Sequence, residues 1–99
     1  MMDHQIKMMV VDAITNVVKN APTRQNNYLY NTVSKERFDI WIRYVNTVLQ
    51  VTSQYININM YFSINNQIQN ILMQNIEYSI KVNHICNALL IFAKQIIYL

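Results

Sequence analysis

The sequence predicts a mainly α fold: one helical domain over residues 1–99, built as a three-helix bundle with a long C-terminal helix. Apolar residues recur in steps of three and four along most of the chain, which is the helical period. The chain contains no Gly and a single Pro, so little interrupts such helices. With 99 residues, 53% of them hydrophobic, it has enough apolar side chains for one core and no room for a second domain.

The C-terminal part of the chain carries the most regular pattern. Spacings of three and four place ten residues on one side of a helix, which we predict from about Ser63 to the end. Further apolar residues, Leu72, Leu90 and Ile91 among them, widen this surface beyond what a two-stranded coiled coil requires. We therefore expect the helix to pack against its own chain on one side and a partner on another. The ten residues, called the seam below, are Ile68, Ile71, Asn75, Tyr78, Val82, Ile85, Leu89, Phe92, Ile96 and Leu99.

A first helix is predicted over residues 4–20. Asp3 suits its N-cap, because a carboxylate accepts a hydrogen bond from a free backbone N–H of the first turn. Pro22 stops it, since the residue before a proline is disfavoured in the helical region. The predicted apolar stripe comprises Ile6, Met9, Val10, Ala13, Val17 and Ala21.

A second helix is predicted to begin after a loop at residues 23–33. Ser34 is its expected N-cap, and Glu36 lies early enough to interact favourably with the helix dipole. The lone tryptophan, Trp41, falls in the apolar stripe and is therefore interpreted as a core anchor. The stripe comprises Phe38, Trp41, Val45, Val48 and Thr52, widened by Ile42 and Leu49.

Residues 55–64 allow two interpretations. Ile56, Ile58, Met60, Phe62 and Ile64 alternate with mainly polar residues, which is the period of a half-buried strand. The one local partner for such a strand is residues 28–33, and an isolated pair of strands is only marginally stable. We favour a helix end, a connector and a new helix near residue 63. The alternative is an α+β fold with a short strand at 55–64.

The net charge of +3 and the pI near 9.1 do not by themselves indicate nucleic-acid binding. The eight basic residues are spread along the chain, whereas a nucleic-acid protein usually presents a dense basic face. A small basic DNA- or RNA-binding protein remains the alternative function. Its candidate contacts are Arg24, Lys35, Arg37 and Arg43.

No constellation of residues indicates catalysis, a metal or a cofactor. His84 and Cys86 are about 200° apart around a helix, so they cannot form a nucleophile–base pair. Glu77, Lys81 and His84 share a polar face and are expected to be solvated. The single cysteine excludes an internal disulfide, and it is expected to be buried and inert.

Residues 85–99 are apolar but short for a membrane-spanning helix, which needs about twenty residues with few charges. This stretch contains Asn87, Lys94 and Gln95, and no secretory signal is visible at the N-terminus. We therefore expect a cytoplasmic protein for which membrane contact is unfavoured.

The sequence thus favours a non-enzymatic protein–protein interaction or regulatory module that forms a homodimer through its C-terminal helix and contacts another protein. Asn75 allows two interpretations: it sets the register between copies by pairing across a two-fold axis, or it caps a wet end of the core of a monomer. The abundance of Asn, Ile and Tyr suits an AT-rich genome and, by association, a phage, virus or mobile element. The predicted interface residues are Ile71, Asn75, Tyr78, Val82, Ile85, Leu89, Phe92 and Ile96.

Overall fold

The computed structural model describes residues 2–22 and 33–99, and all regular structure within these ranges is helical. The mainly α prediction is therefore confirmed. The described part contains four α-helices where the sequence predicted three. They are α1 (His4–Lys19), α2 (Lys35–Thr52), α3 (Ile58–Met73) and α4 (Tyr78–Ile97), with a 3₁₀ turn at Ser53–Tyr55 after α2.

The first two helices begin where their capping residues predict. The Asp3 carboxylate accepts a hydrogen bond from the Gln5 N–H at 2.7 Å. The Ser34 hydroxyl accepts one from the Arg37 N–H at 3.3 Å. Each cap satisfies a backbone donor that the first helical turn leaves free. Of the predicted loop, only Val33 lies within the described residues, and it is buried.

The apolar stripe of α2 is confirmed, whereas that of α1 is rotated from its predicted position. In α1 the buried side chains are Val10, Val11, Ile14 and Val17, and Met9 is 67% exposed. At 100° per residue Met9 lies about 130° from the centre of that stripe. The prediction that Met9 belongs to the buried stripe of α1 was therefore wrong. In α2 the buried residues are Phe38, Trp41, Val45, Leu49 and Thr52.

The alternative strand at 55–64 is not confirmed. Only Ile56 and Asn57 separate the 3₁₀ turn from α3, so the helix begins at Ile58 and not near residue 63. Asn57 caps α3, since its side-chain oxygen accepts a hydrogen bond from the Asn59 N–H at 2.7 Å. Ile64 fits the alternation of the predicted strand and also the helical period, because it lies one turn before Ile68. The side chains of Ile64 and Ile68 are both buried in the helical core.

The single long C-terminal helix is not confirmed either, because the chain folds back at residues 74–77. Gln74 and Glu77 adopt extended backbone conformations with ψ near 143° and 150°. A helix from Ser63 to Leu99 would be about 55 Å long, whereas α1 and α2 are about 24 and 27 Å long. Half of its apolar side would then have no helix to cover it. Folding back buries both halves in one core.

Helix α4 is the central element of that core. It packs most extensively against α1 and also against α3 and α2. Helix α1 runs antiparallel to it. Near the start of α1, the Lys7 ammonium donates to the Ile97 carbonyl at 3.5 Å, while the end of α1 and the start of α4 both meet the first half of α2. The rings of Phe38 and Tyr78 lie 4.9 Å apart where α2 meets α4. The buried residues of α4 are Val82, Ile85, Ala88, Leu89, Phe92, Ala93 and Ile96.

Trp41 joins α2 to α1 and is the core anchor that the sequence predicted. Its side chain is 3% exposed, and its indole N–H donates to the Val17 carbonyl at 3.0 Å. This bond serves a carbonyl in the last turn of α1, where helices lack internal partners. At the surface of the same contact, the Asn16 amide donates to the Tyr44 hydroxyl at 3.1 Å.

We expect Trp41→Phe to lower the free energy of unfolding by about 2 kcal/mol, because it removes the indole donor and leaves the buried Val17 carbonyl without it. Urea denaturation followed by circular dichroism measures this change. The matched control is Ile40→Ala on the same helix, where the side chain is 54% exposed and the change should stay within about 0.5 kcal/mol. Equal effects of the two substitutions would contradict the anchoring role.

Candidate interaction site on the C-terminal helix

The predicted interface residues lie mainly in the chain's own core. Val82, Ile85, Leu89, Phe92 and Ile96 are each at most 3% exposed. In this conformation they contact the chain's own helices, so they do not form a free surface. The remaining three differ: Ile71 and Tyr78 are half-buried at the edge of the core, and Asn75 is exposed in the turn between α3 and α4.

The outward side of α4 carries a second set of large apolar side chains. Leu90, Ile91 and Ile97 are 45%, 58% and 47% exposed, and Ile80 near the start of the helix is 39% exposed. The sequence pattern contained this signal, because these residues widen the apolar surface beyond the seam. The sequence pattern alone did not show which apolar side of α4 faces the core, because this depends on where the other three helices pack.

A groove runs between α1 and the outward side of α4. Its volume is about 340 Å³, and among the described residues Lys94 is the only charged one that lines it. The Thr15 hydroxyl within it already donates to the Val11 and Asp12 carbonyls, at 3.0 and 3.1 Å, so it offers the groove little unsatisfied polarity. The result is a mainly apolar depression on the molecular surface. It is lined by Val11, Thr15, Leu90, Ile91, Ala93, Lys94 and Ile97.

A more polar groove lies between α3 and α4, on the other side of Ile91. Side-chain amides and an imidazole make up much of its lining, and its volume is about 400 Å³. Ile91 therefore stands on a ridge between an apolar groove and a polar one. The polar groove is lined by Gln67, Asn70, Ile71, His84, Asn87, Ala88 and Ile91.

The candidate nucleic-acid contacts do not converge in the described part of the chain. Lys35 forms an exposed ion pair with Asp39 one turn later. Arg37 lies beside the surface groove between α1 and α2, about 160° around the helix from Lys35, while Arg43 lies about 120° from Arg37. Arg24 lies outside the described residues. The DNA- or RNA-binding alternative stays a prediction.

Lys81 has a structural contact that the sequence did not indicate. Its ammonium donates to the Leu72 carbonyl at 2.7 Å, and it lies 6.0 Å from the centre of the Tyr78 ring. A cation at the C-terminal end of α3 satisfies a free carbonyl and interacts favourably with the helix dipole. Finding this contact from sequence would have required knowing that the helix breaks before Tyr78.

Cys86 is half-buried, and burial raises the pKa of its thiol to about 11 because it disfavours the thiolate. Within residues 2–22 and 33–99, no group of three or more His, Cys, Asp or Glu side chains is placed to hold a metal ion.

Helix α4 is long and apolar enough, by length and composition, to cross a membrane, with a mean hydropathy of 1.2 in its most apolar window. Within this most apolar part of α4, 39% is buried inside the fold. The central helix of a soluble bundle meets the same criterion, so this is weak evidence for membrane insertion. The predicted cytoplasmic localisation stays a prediction.

Comparison with protein-family models, with curated protein sequences and with solved structures found no match to this chain.

We expect Cys86 to react with iodoacetamide about a hundredfold more slowly than a free thiol at pH 8, because its pKa is raised from 9.0 to about 11. The rate should rise about tenfold per pH unit up to pH 10. Mass spectrometry of alkylated protein measures it, and the denatured chain is the control. Since the folded state retains this proton more tightly, the group's contribution to stability is lost as the pH rises from 9 to 11. A rate that levels off near pH 9 would contradict the effect of burial.

Proposed function

We propose that this chain is a small, non-enzymatic protein–protein interaction module that forms a homodimer through its C-terminal helix and binds a helix of another protein in the groove between α1 and α4. The observation that carries the proposal is the exposure of Leu90, Ile91 and Ile97 along an apolar groove on the helix that also forms the centre of the core. The core is complete without these three side chains. Other apolar side chains of this chain are equally exposed, Ile58 and Phe62 among them, but these three lie together along one groove. A contiguous apolar patch of this kind is typical of an interaction site.

The shape of the groove supports a helical partner. It lies between two antiparallel helices, and an amphipathic helix that lies in such a groove anchors itself through residues at i, i+3 or i+4, and i+7. Burying an exposed isoleucine or leucine side chain contributes about 1.5–3 kcal/mol, less the fraction already buried. Three such side chains provide part of the binding free energy, and the other contacts of the partner helix must offset the cost of association.

The charge of the groove supports an acidic rim on that partner. Lys94 is a charged residue of the lining, and the Lys7 ammonium lies at the Ile97 carbonyl near the end of the groove. The whole chain carries eight basic and five acidic residues. A second copy seated face to face would bring Lys94 near its equivalent, whereas a partner with Asp or Glu beside its apolar residues would pair with it.

We expect a synthetic amphipathic helical peptide with Leu at i, i+3 and i+7 and a Glu rim to bind this groove. The same peptide with a Lys rim should bind more weakly. Ile91→Ser should weaken binding of the Glu-rim peptide by about tenfold or more, because it removes an apolar anchor without adding a charge. Fluorescence anisotropy measures the affinity, and methyl NMR locates the peptide on Leu90, Ile91 and Ile97.

The matched control is Ile80→Ser, which changes the same residue type on the same helix at a position outside the groove. It should leave peptide affinity unchanged. If both substitutions weaken binding equally, or if the methyl shifts map elsewhere, the groove is not the binding site. Circular dichroism of both variants verifies that the fold is retained.

A further inference from the structure

The apolar stripes of α3 and α4 are in phase with each other across the turn that separates them. If residues 74–77 were helical, the seven large buried residues of the two helices would lie within a sector of about 120° at 100° per residue, with Ala93 inside it and Ala88 about 40° outside. That is the width of the apolar stripe of one ordinary amphipathic helix. The joined helix would therefore present a single continuous apolar side. The seven residues are Ile64, Ile68, Val82, Ile85, Leu89, Phe92 and Ile96.

The two end residues of the turn have φ values near that of a helix, as extended residues of the polyproline II type also do. Gln74 has φ −70° and Glu77 has φ −60°, both near the helical value of about −63°. At these two residues only ψ, at 143° and 150°, differs from the helical value. Gln74 and Glu77 therefore each convert to helix by rotation about one bond. The segment from residue 74 to 77 contains no Gly or Pro to prevent this.

We propose that two copies of this chain form a dimer by exchanging α4. In each copy residues 74–77 become helical and join α3 to α4, and α4 of one copy packs against α1, α2 and α3 of the other. This inference rests on the homodimer part of the proposed function and specifies its mechanism. It makes the predicted interface residues intermolecular, although they are buried within one chain in the monomer.

The two states contain nearly the same contacts. Every core contact of α4 lost within one chain is restored between chains, as in other domain-swapped dimers. The turn's own bonds, Gln74 N–H to Ile71 carbonyl at 3.2 Å and Lys81 ammonium to Leu72 carbonyl at 2.7 Å, are lost. Continuous i to i−4 hydrogen bonds through residues 74–77 replace them. Protein concentration therefore determines which state predominates.

Asn75 acquires a partner in the exchanged dimer. The two straightened hinges cross at the two-fold axis, and Asn75 lies in the seam at the middle of each hinge. An amide side chain has both donors and an acceptor, so two Asn75 side chains satisfy each other across the axis. In the monomer the same side chain is exposed to solvent in the turn.

The first test is proline at the hinge, with the full chain refolded from denaturant at low and high concentration and analysed by light scattering. Glu77→Pro suits the monomer, because its φ of −60° is that of proline, and it breaks a joined helix. It should lower the dimerisation constant by about a hundredfold for each of the two hinges. Glu77→Ala, which removes the carboxylate without the ring, is the control and should still dimerise. Equal dimerisation of the proline and alanine variants would overturn the exchange.

A second test distinguishes exchange from face-to-face docking. Asn70 and Asn87 line the same groove from α3 and α4, so cysteines placed there in a Cys86→Ala background can be joined by a short bismaleimide. In the exchanged dimer the cross-link joins two chains and gives a covalent dimer on a denaturing gel. A dimer that cross-links only within each chain would overturn the exchange and leave the homodimer proposal standing. A monomer at every concentration would overturn both and leave the groove proposal to its own peptide test.

Discussion

The arrangement of this domain depends on how the long apolar surface of the seam is covered. The other helices of the chain are too short to cover that surface if it belongs to a single straight helix. The seam extends from Ile68 to Leu99, while α1 and α2 contribute 16 and 18 residues. Breaking the seam at residues 74–77 divides this surface into two helices that face each other and the rest of the chain. Helix α4 then lies at the centre, and the Lys81 ammonium satisfies the end of α3 that the break exposes.

Much of the local structure could be predicted because single residues carry the information. Asp3 and Ser34 are strong N-caps, and Trp41 is the largest side chain in a regular stripe, so its burial follows from the pattern. The break at 74–77 could not be predicted in this way. Its residues include no Gly or Pro, and Asn75 continues the heptad spacing, so the local pattern favours helix and only the length of the other helices opposes it.

The candidate site was harder to predict than the fold for a related reason. Periodicity shows which residues share a side of a helix, but it does not show which of two apolar sides meets the core. The more regular side of α4 was interpreted as an intermolecular surface, and in the structure it faces α1, α2 and α3. The groove residues Val11 and Leu90 are far apart in sequence, so only the tertiary fold brings them together.

The proposed exchange and the proposed groove are compatible, because they use opposite sides of α4. The exchange involves the buried side, while Leu90, Ile91 and Ile97 stay on the outward side. In an exchanged dimer the groove persists with the same lining, but α1 and α4 then come from different chains. Each groove should therefore keep its intrinsic affinity, whereas a partner that carries two suitable helices would gain from having two grooves in one particle. Dimerisation would then regulate binding through the number of sites and not through their shape.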